Sequence, residues 1–302
     1  MSDSNFNAIR IAYYRQYGYI KAGCITALLV DYLETIPLEI RYIWYGKKTL
    51  VTTVYFLARY TVFLSYVFGA LHTLKWANIP VERCFLTYIL TSVTHMVNSA
   101  FCEGLLYAQV YAFSGGKRLM GVYLLFQFIA LHCAKFTLQT RYSIRVGAFE
   151  ILDLTEDVHC IAITPSQDAS SHLGGVFIAQ TVGLYVLIAI TLWIHRFGYR
   201  DLKSALLTVL IRNGMIYFVT VTALSSLAIA FSYVSKGANI FLAPIIGISA
   251  PILGTRFILH LRDQARRNQV VDAEKWYEYE PETNVLDSMQ FSNETRHTTT
   301  TG

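Results

Sequence analysis

The sequence predicts an all-α fold: a multi-pass transmembrane helical bundle of about seven helices, N-terminus outside and C-terminus cytoplasmic. Three observations predict it. The 302 residues are 54% hydrophobic and only 15% charged, where soluble domains carry roughly 25% charged residues. The mean hydropathy of +0.40 leaves more apolar surface than a soluble core of this length could hide. Apolar stretches long enough to cross a bilayer then follow one another, with basic residues gathered in alternate turns.

A spanning helix needs about 20 mainly apolar residues to cross roughly 30 Å of hydrocarbon. Seven such stretches are expected, at residues 19–44, 49–71, 81–113, 120–137, 176–197, 213–234 and 240–260. The first and third are the most polar, whereas the fifth, VFIAQTVGLYVLIAITLWIHRF, is almost uninterrupted hydrocarbon. The expected organisation is an outer segment at 1–18, a first helical pair within 19–71, the remaining bundle at 72–262 and a disordered cytoplasmic tail at 263–302. The first 18 residues lack the charge pattern and apolar core of a secretory signal peptide, so the first helix is expected to direct its own insertion.

Orientation follows from Lys and Arg in the short turns. Arg41, Lys47 and Lys48 follow the first stretch, Lys117 and Arg118 the third, and Arg196, Arg200, Lys203 and Arg212 the fifth. Arg256, Arg262, Arg266 and Arg267 close the seventh. The opposing loop at 138–175 carries Glu150, Asp153, Glu156, Asp157 and Asp168 beside Arg141 and Arg145. Arg10, Arg15 and Lys21 run against the rule. The scattered basic residues form no stripe for nucleic acid, and membrane lipids are the expected partners. The sequence does not distinguish plasma membrane from endomembrane, and it is silent on oligomeric state.

Charges inside an apolar stretch cost at least about 2.5 kcal/mol each, so each asks for a partner or a wet cavity. Asp31 and Glu34 in the first stretch, Arg59 in the second and Glu103 in the third stand out. Counting about 1.5 Å per residue from the 45–48 turn puts Asp31 and Arg59 at nearly the same depth. An ion pair across the hairpin is expected, with Glu34 as the competing acceptor. It would fix helix register or belong to a proton or ion path. In the third stretch, His95, Asn98, Ser99, Cys102 and Glu103 share one helical face, a polar stripe suited to interhelical hydrogen bonds or to a ligand. His72, His95 and His132 have no spacing that demands a metal, and neither metal nor other cofactor is expected. Cys84 and Cys160 both fall on the outer side, where a disulfide could form. Cys24, Cys102 and Cys133 read as packing residues. The sequon Asn293-Glu294-Thr295 falls on the cytoplasmic side and is expected to be unused.

The segment from Asp31 to Ile40, DYLETIPLEI, followed by Tyr42-Ile43-Trp44 and Phe56-Leu57-Ala58-Arg59-Tyr60, resembles a family of seven-helix membrane proteins of mushroom-type fungi. That family is defined by an N-terminal domain of unknown function over its first two helices. Residues 210–218, LIRNGMIYF, and 256–262, RFILHLR, are similar to its motifs at the sixth and seventh helices. Where the family favours Asn before the Arg, this chain has Ala58, and where it has Arg before Val-Tyr-Ala, this chain has Gln109. The resemblance implies architecture and no established ligand or reaction.

Three functions fit such a chain. An orphan receptor-like signalling protein, taking a small-molecule ligand of unknown identity, fits the topology. The third stretch lacks an Asp/Glu-Arg-Tyr end and the seventh lacks Asn-Pro-x-x-Tyr, having only Pro244 and Pro251. A membrane-embedded lipid-modifying enzyme would use intramembrane His and carboxylates, and no catalytic residue is singled out. A transporter ranks last for want of an evident inverted repeat. The seventh stretch has no Lys for a retinal Schiff base.

Overall fold

The computed structural model describes residues 3–46, 48–73, 81–146, 149–154, 157–162, 167–194, 196, 205–234 and 239–279. They form seven α-helices: α1 (Asp3–Glu39), α2 (Leu50–Thr73), α3 (Val81–Phe113), α4 (Arg118–Val146), α5 (Gln167–Trp193), α6 (Ala205–Val234) and α7 (Asn239–Tyr279). A π turn, Ile40–Trp44, ends α1. Between α4 and α5 the backbone forms an antiparallel hairpin, β1 (Phe149–Leu154) with β2 (Asp157–Ala162), in a stretch that hydropathy marks only as a long loop. The chain divides into two units, Met1–Leu259 and His260–Gly302. In the second unit residues 260–279 are helical, with Arg267 Nε donating to Asp263 Oδ2 at 3.0 Å, so the expected disordered tail begins as helix.

Four stretches are long and apolar enough to cross a membrane: Leu50–Ala70, Arg118–Ile144, Ser171–Trp193 and Leu242–Arg267. Within α6 the described apolar stretch is Phe218–Tyr233. The distribution of side chains is inside-out for water and natural for lipid. Glu39 (0% exposed), Lys135 (1%) and Arg59 (3%) are buried, while Leu119 (85%) and Phe126 (73%) face outward. An apolar exterior around a charged interior is stable only where the solvent is hydrocarbon. The chain is a helical membrane-embedded bundle.

Packing is strongest among α2 to α6, where α2 and α3 run close along their length, as do α4 and α5, and α5 and α6. Leu106, Val110 and Phe113 of α3, spaced by four and three residues, put one face into a core shared with Leu184 and Leu187 of α5 and Phe218 of α6. A small residue lets α4 and α5 approach: a Cβ at Gly183 would lie 2.8 Å from Leu131 Cδ1. At its far end α3 stops in a Schellman motif, Gly116 N–H to Tyr111 O at 3.3 Å and Gly115 N–H to Ala112 O at 3.1 Å. Gly115 supplies the left-handed φ of 72° that this cap requires.

By contrast, α1 and α7 make only isolated close backbone approaches to the other helices among the described residues. Pro37 removes one ladder donor from α1, and Pro244 and Pro251, two turns apart, remove two from α7. Apolar side chains of both helices are buried, among them Leu28, Ile248 and Phe257, and the long polar side chains that reach between these helices and α2 form the candidate site.

Candidate functional site

The buried face of α1 reads Cys24, Leu28, Asp31, Thr35, Glu39, a helical repeat of four, three, four and four residues. Glu34 points elsewhere and is largely exposed. From α2, Arg59 reaches this face. Its Nε lies 2.5 Å from Glu39 Oε2, and its NH1 is 3.8 Å from Asp31 Oδ2. Its NH2 donates to the Thr35 hydroxyl and, at 3.5 Å, to the Tyr32 carbonyl. The guanidinium also lies over the Tyr32 ring, 5.1 Å from its centroid. The π turn and the neighbouring α2 residue complete the shell of Glu39: Trp44 Nε1 donates to Oε1 at 3.2 Å and the Tyr60 hydroxyl at 2.9 Å. Trp44 is five residues on from Glu39, a spacing that an α-turn would point away and the wider π turn brings back.

The third contributor is α7. Arg59 NH1 donates to Thr255 Oγ1 at 3.4 Å, and Arg256 divides its guanidinium between Asp31 Oδ1, from Nε at 2.5 Å, and Glu34 Oε2, from NH2 at 2.5 Å. The expected trio Asp31, Glu34 and Arg59 therefore occupies one region, with different partners. Arg59's nearest carboxylate is Glu39, Asp31's nearest cation is Arg256, and Glu34 meets Arg256. Glu39 and Arg256 were not singled out from the sequence. Depth counting compared Asp31, Glu34 and Arg59 alone and took no account of how far an Arg side chain can reach along a helix. The signal that finds Glu39 is periodicity, since it lies four residues from Thr35 and eight from Asp31.

The polar stripe of α3 is shared out among its neighbours. Asn98 Nδ2 donates to the Ala58 carbonyl of α2 at 2.7 Å, and Cys102 Sγ lies 3.8 Å from Asn98 Oδ1. Glu103 faces α4 and α5. Its Oε1 accepts from Lys135 Nζ at 2.5 Å and from Ser99 Oγ at 2.9 Å, and Lys135 also donates to Gln180 Oε1 of α5 at 2.9 Å. Lys135 was overlooked because the apolar run 120–137 absorbs a single Lys near its end. His95 lies against α7, where a Cβ at Gly247 would be 2.6 Å from its Nε2. Gln109, standing where the resembled family has Arg, is buried, and its Nε2 has no hydrogen-bond partner.

Among the described residues no three His, Cys, Asp or Glu side chains gather closely enough to share a metal ion, and the side chain of His72 lies outside the described residues. So do those of Cys84 and Cys160, and with them the expected disulfide. Cys24, Cys102 and Cys133 are free thiols.

Fold and site together define a class: a helical membrane bundle with a buried ion pair inside its first hairpin and part-exposed ion pairs from that hairpin to its last helix. The profile of a family of unknown function, DUF6533, matches residues 19–64, the stretch that supplies Asp31, Glu34, Thr35, Glu39, Arg59 and Tyr60. The match covers the first helical pair alone. No curated protein and no solved structure matches the chain.

Proposed function

We propose that the chain is a receptor-like signalling protein of seven membrane spans, N-terminus outside and C-terminus cytoplasmic, with the Arg59 cluster as an ionic latch between helices that change their packing. The observation that carries this reading is the way α1 and α7 are held. They approach the bundle's backbones little, yet Arg59 bonds to both helices at once and Arg256 ties α7 back to α1. Helices joined by a few strong polar contacts can exchange between discrete arrangements, whereas a continuous interdigitated seam resists it. Pro251, one turn before Thr255, adds compliance beside the latch. The buried carboxylates are engaged by guanidinium and hydroxyl groups, which supports a conformational role over a hydrolytic one.

Two measurements test it. Tags at the two termini of the protein in intact membranes should report from opposite faces. Spin labels at Leu33 of α1 and Leu119 of α4, in a Cys133→Ser background in nanodiscs, should give one distance distribution in the parent and an additional one in Glu39→Gln. Identical distributions in both would remove the latch. Turnover of phospholipid or ceramide vesicles by the purified protein would favour the lipid-modifying alternative.

A further inference from the structure

The buried site between α3, α4 and α5 presents two hydrogen-bond acceptors face to face. His132 of α4 has its Nδ1 2.9 Å from the Phe128 carbonyl, and because a carbonyl only accepts, Nδ1 carries a proton. Its Nε2 then faces Glu103 Oε2 at 3.7 Å, without a hydrogen-bond partner and shut off from solvent. The other oxygen of the same carboxylate, Oε1, accepts from Lys135 and from Ser99. A neutral imidazole leaves two lone pairs opposed in a low-dielectric site, and one proton on Nε2 turns them into a donor and an acceptor.

The geometry points to His132 Nε2 and Glu103 Oε2 as a reversible proton-binding site, in which the bound proton gives Glu103 a second cationic partner and loosens its hold on Lys135, which is also bonded to Gln180 of α5. The charges around it are few. Glu103 and, one turn on, the Tyr107 phenol face it from α3, Lys135 from α4, and α5 contributes the neutral Gln180. With Glu103 and Lys135 ionised the site is neutral when His132 is neutral and carries one positive charge when it is protonated. Occupancy therefore depends on pH, and its consequence falls on the contact between α4 and α5. The Phe128 ring, its centroid 4.1 Å from that of the imidazole, holds the ring in this orientation. This site is separate from the Arg59 cluster and does not rest on the signalling reading.

The test is nitrogen NMR of the full chain in nanodiscs with ring-labelled histidine, the His132 signal being assigned by its loss in His132→Gln. As the pH is lowered, Nε2 should pass from the lone-pair to the protonated position. Lys135→Met, which removes the competing cation, should favour protonation of Nε2, and Glu103→Gln, which removes its anionic partner, should disfavour it. If Glu103→Gln fails to fold, Lys135→Met carries the test alone. An Nε2 that keeps one protonation state down to the lowest pH at which the fold is intact, in both parent and Lys135→Met, overturns the proposal.

Discussion

Arg59 Nε lies 2.5 Å from Glu39 Oε2, and neither residue is more than 3% exposed. A pair this dry makes little net contribution as a pair, because both charges have been stripped of water, but losing one member strands the other. Arg59→Met should therefore reduce folded yield severely, since an unpaired carboxylate inside the membrane costs at least about 2.5 kcal/mol. Adding Glu39→Gln should restore more monodisperse protein than adding Asp31→Asn, because Asp31 keeps Arg256. Size-exclusion profiles in detergent decide it, and equal rescue by both, or by neither, removes Glu39 as the principal partner.

Glu34 offers the contrast. It reaches Arg256 at 2.5 Å, yet its side chain is 58% exposed and that of Arg256 41%. Glu34→Gln removes one of the two carboxylates that Arg256 engages and leaves its bond to Asp31 in place, so it should cost the smaller loss of thermal stability. Arg256→Met should cost more, because it also strips buried Asp31 of its nearest cation. A melt in which Glu34→Gln is the worse variant would contradict this ordering.

Lys135 and Glu103 should behave as one unit. Each single change, Lys135→Met or Glu103→Gln, leaves a charge or a donor without its partner between α3 and α4. The double variant removes both. A double-mutant cycle read by thermal unfolding in one detergent should give a coupling of about 1 kcal/mol or more. Additive losses would mean that the two are not in contact.

Gly247 and His95 meet where α7 crosses α3, and a methyl group at 247 would sit 2.6 Å from the imidazole. Gly247→Ala should push the tip of the His95 side chain aside, at a loss of about 1 kcal/mol. His95→Ala in the same chain should recover part of that loss, since the clash is with a side chain and not with backbone. No recovery would place the obstruction elsewhere.

Gly115, with φ at 72°, caps α3 just before the basic turn at Lys117 and Arg118. Gly115→Ala should destabilise by about 1–2 kcal/mol, the penalty of a Cβ in left-handed backbone. Gly18 and Gly23, where a Cβ would meet nothing within 4 Å, should tolerate Ala with no loss. Comparing the three melting temperatures checks the assignment.

Much of the architecture was legible along the chain. The third stretch was expected at 81–113 and α3 is Val81–Phe113. Errors collect where polarity rises, as in α4, which runs to Val146 against an expected 137, and in the hairpin at 149–162. Lipid rewards apolarity one residue at a time, so window sums find its limits, but a helix can continue past the hydrocarbon for reasons those sums do not register.

At the site, residue types were legible and partners were not. Asp31, Glu34, Arg59 and Glu103 announced themselves because charge in hydrocarbon is costly wherever it sits, a property of single residues that sequence alone determines. The pairing was decided by tertiary structure: the rotation of α1 that buries Glu39 and turns Glu34 outward, the π turn that returns Trp44 to Glu39, and the approach of Arg256 on α7 from 225 residues away. Attraction between charges depends on separation in space and on the medium between them, and neither is fixed until the helices have packed.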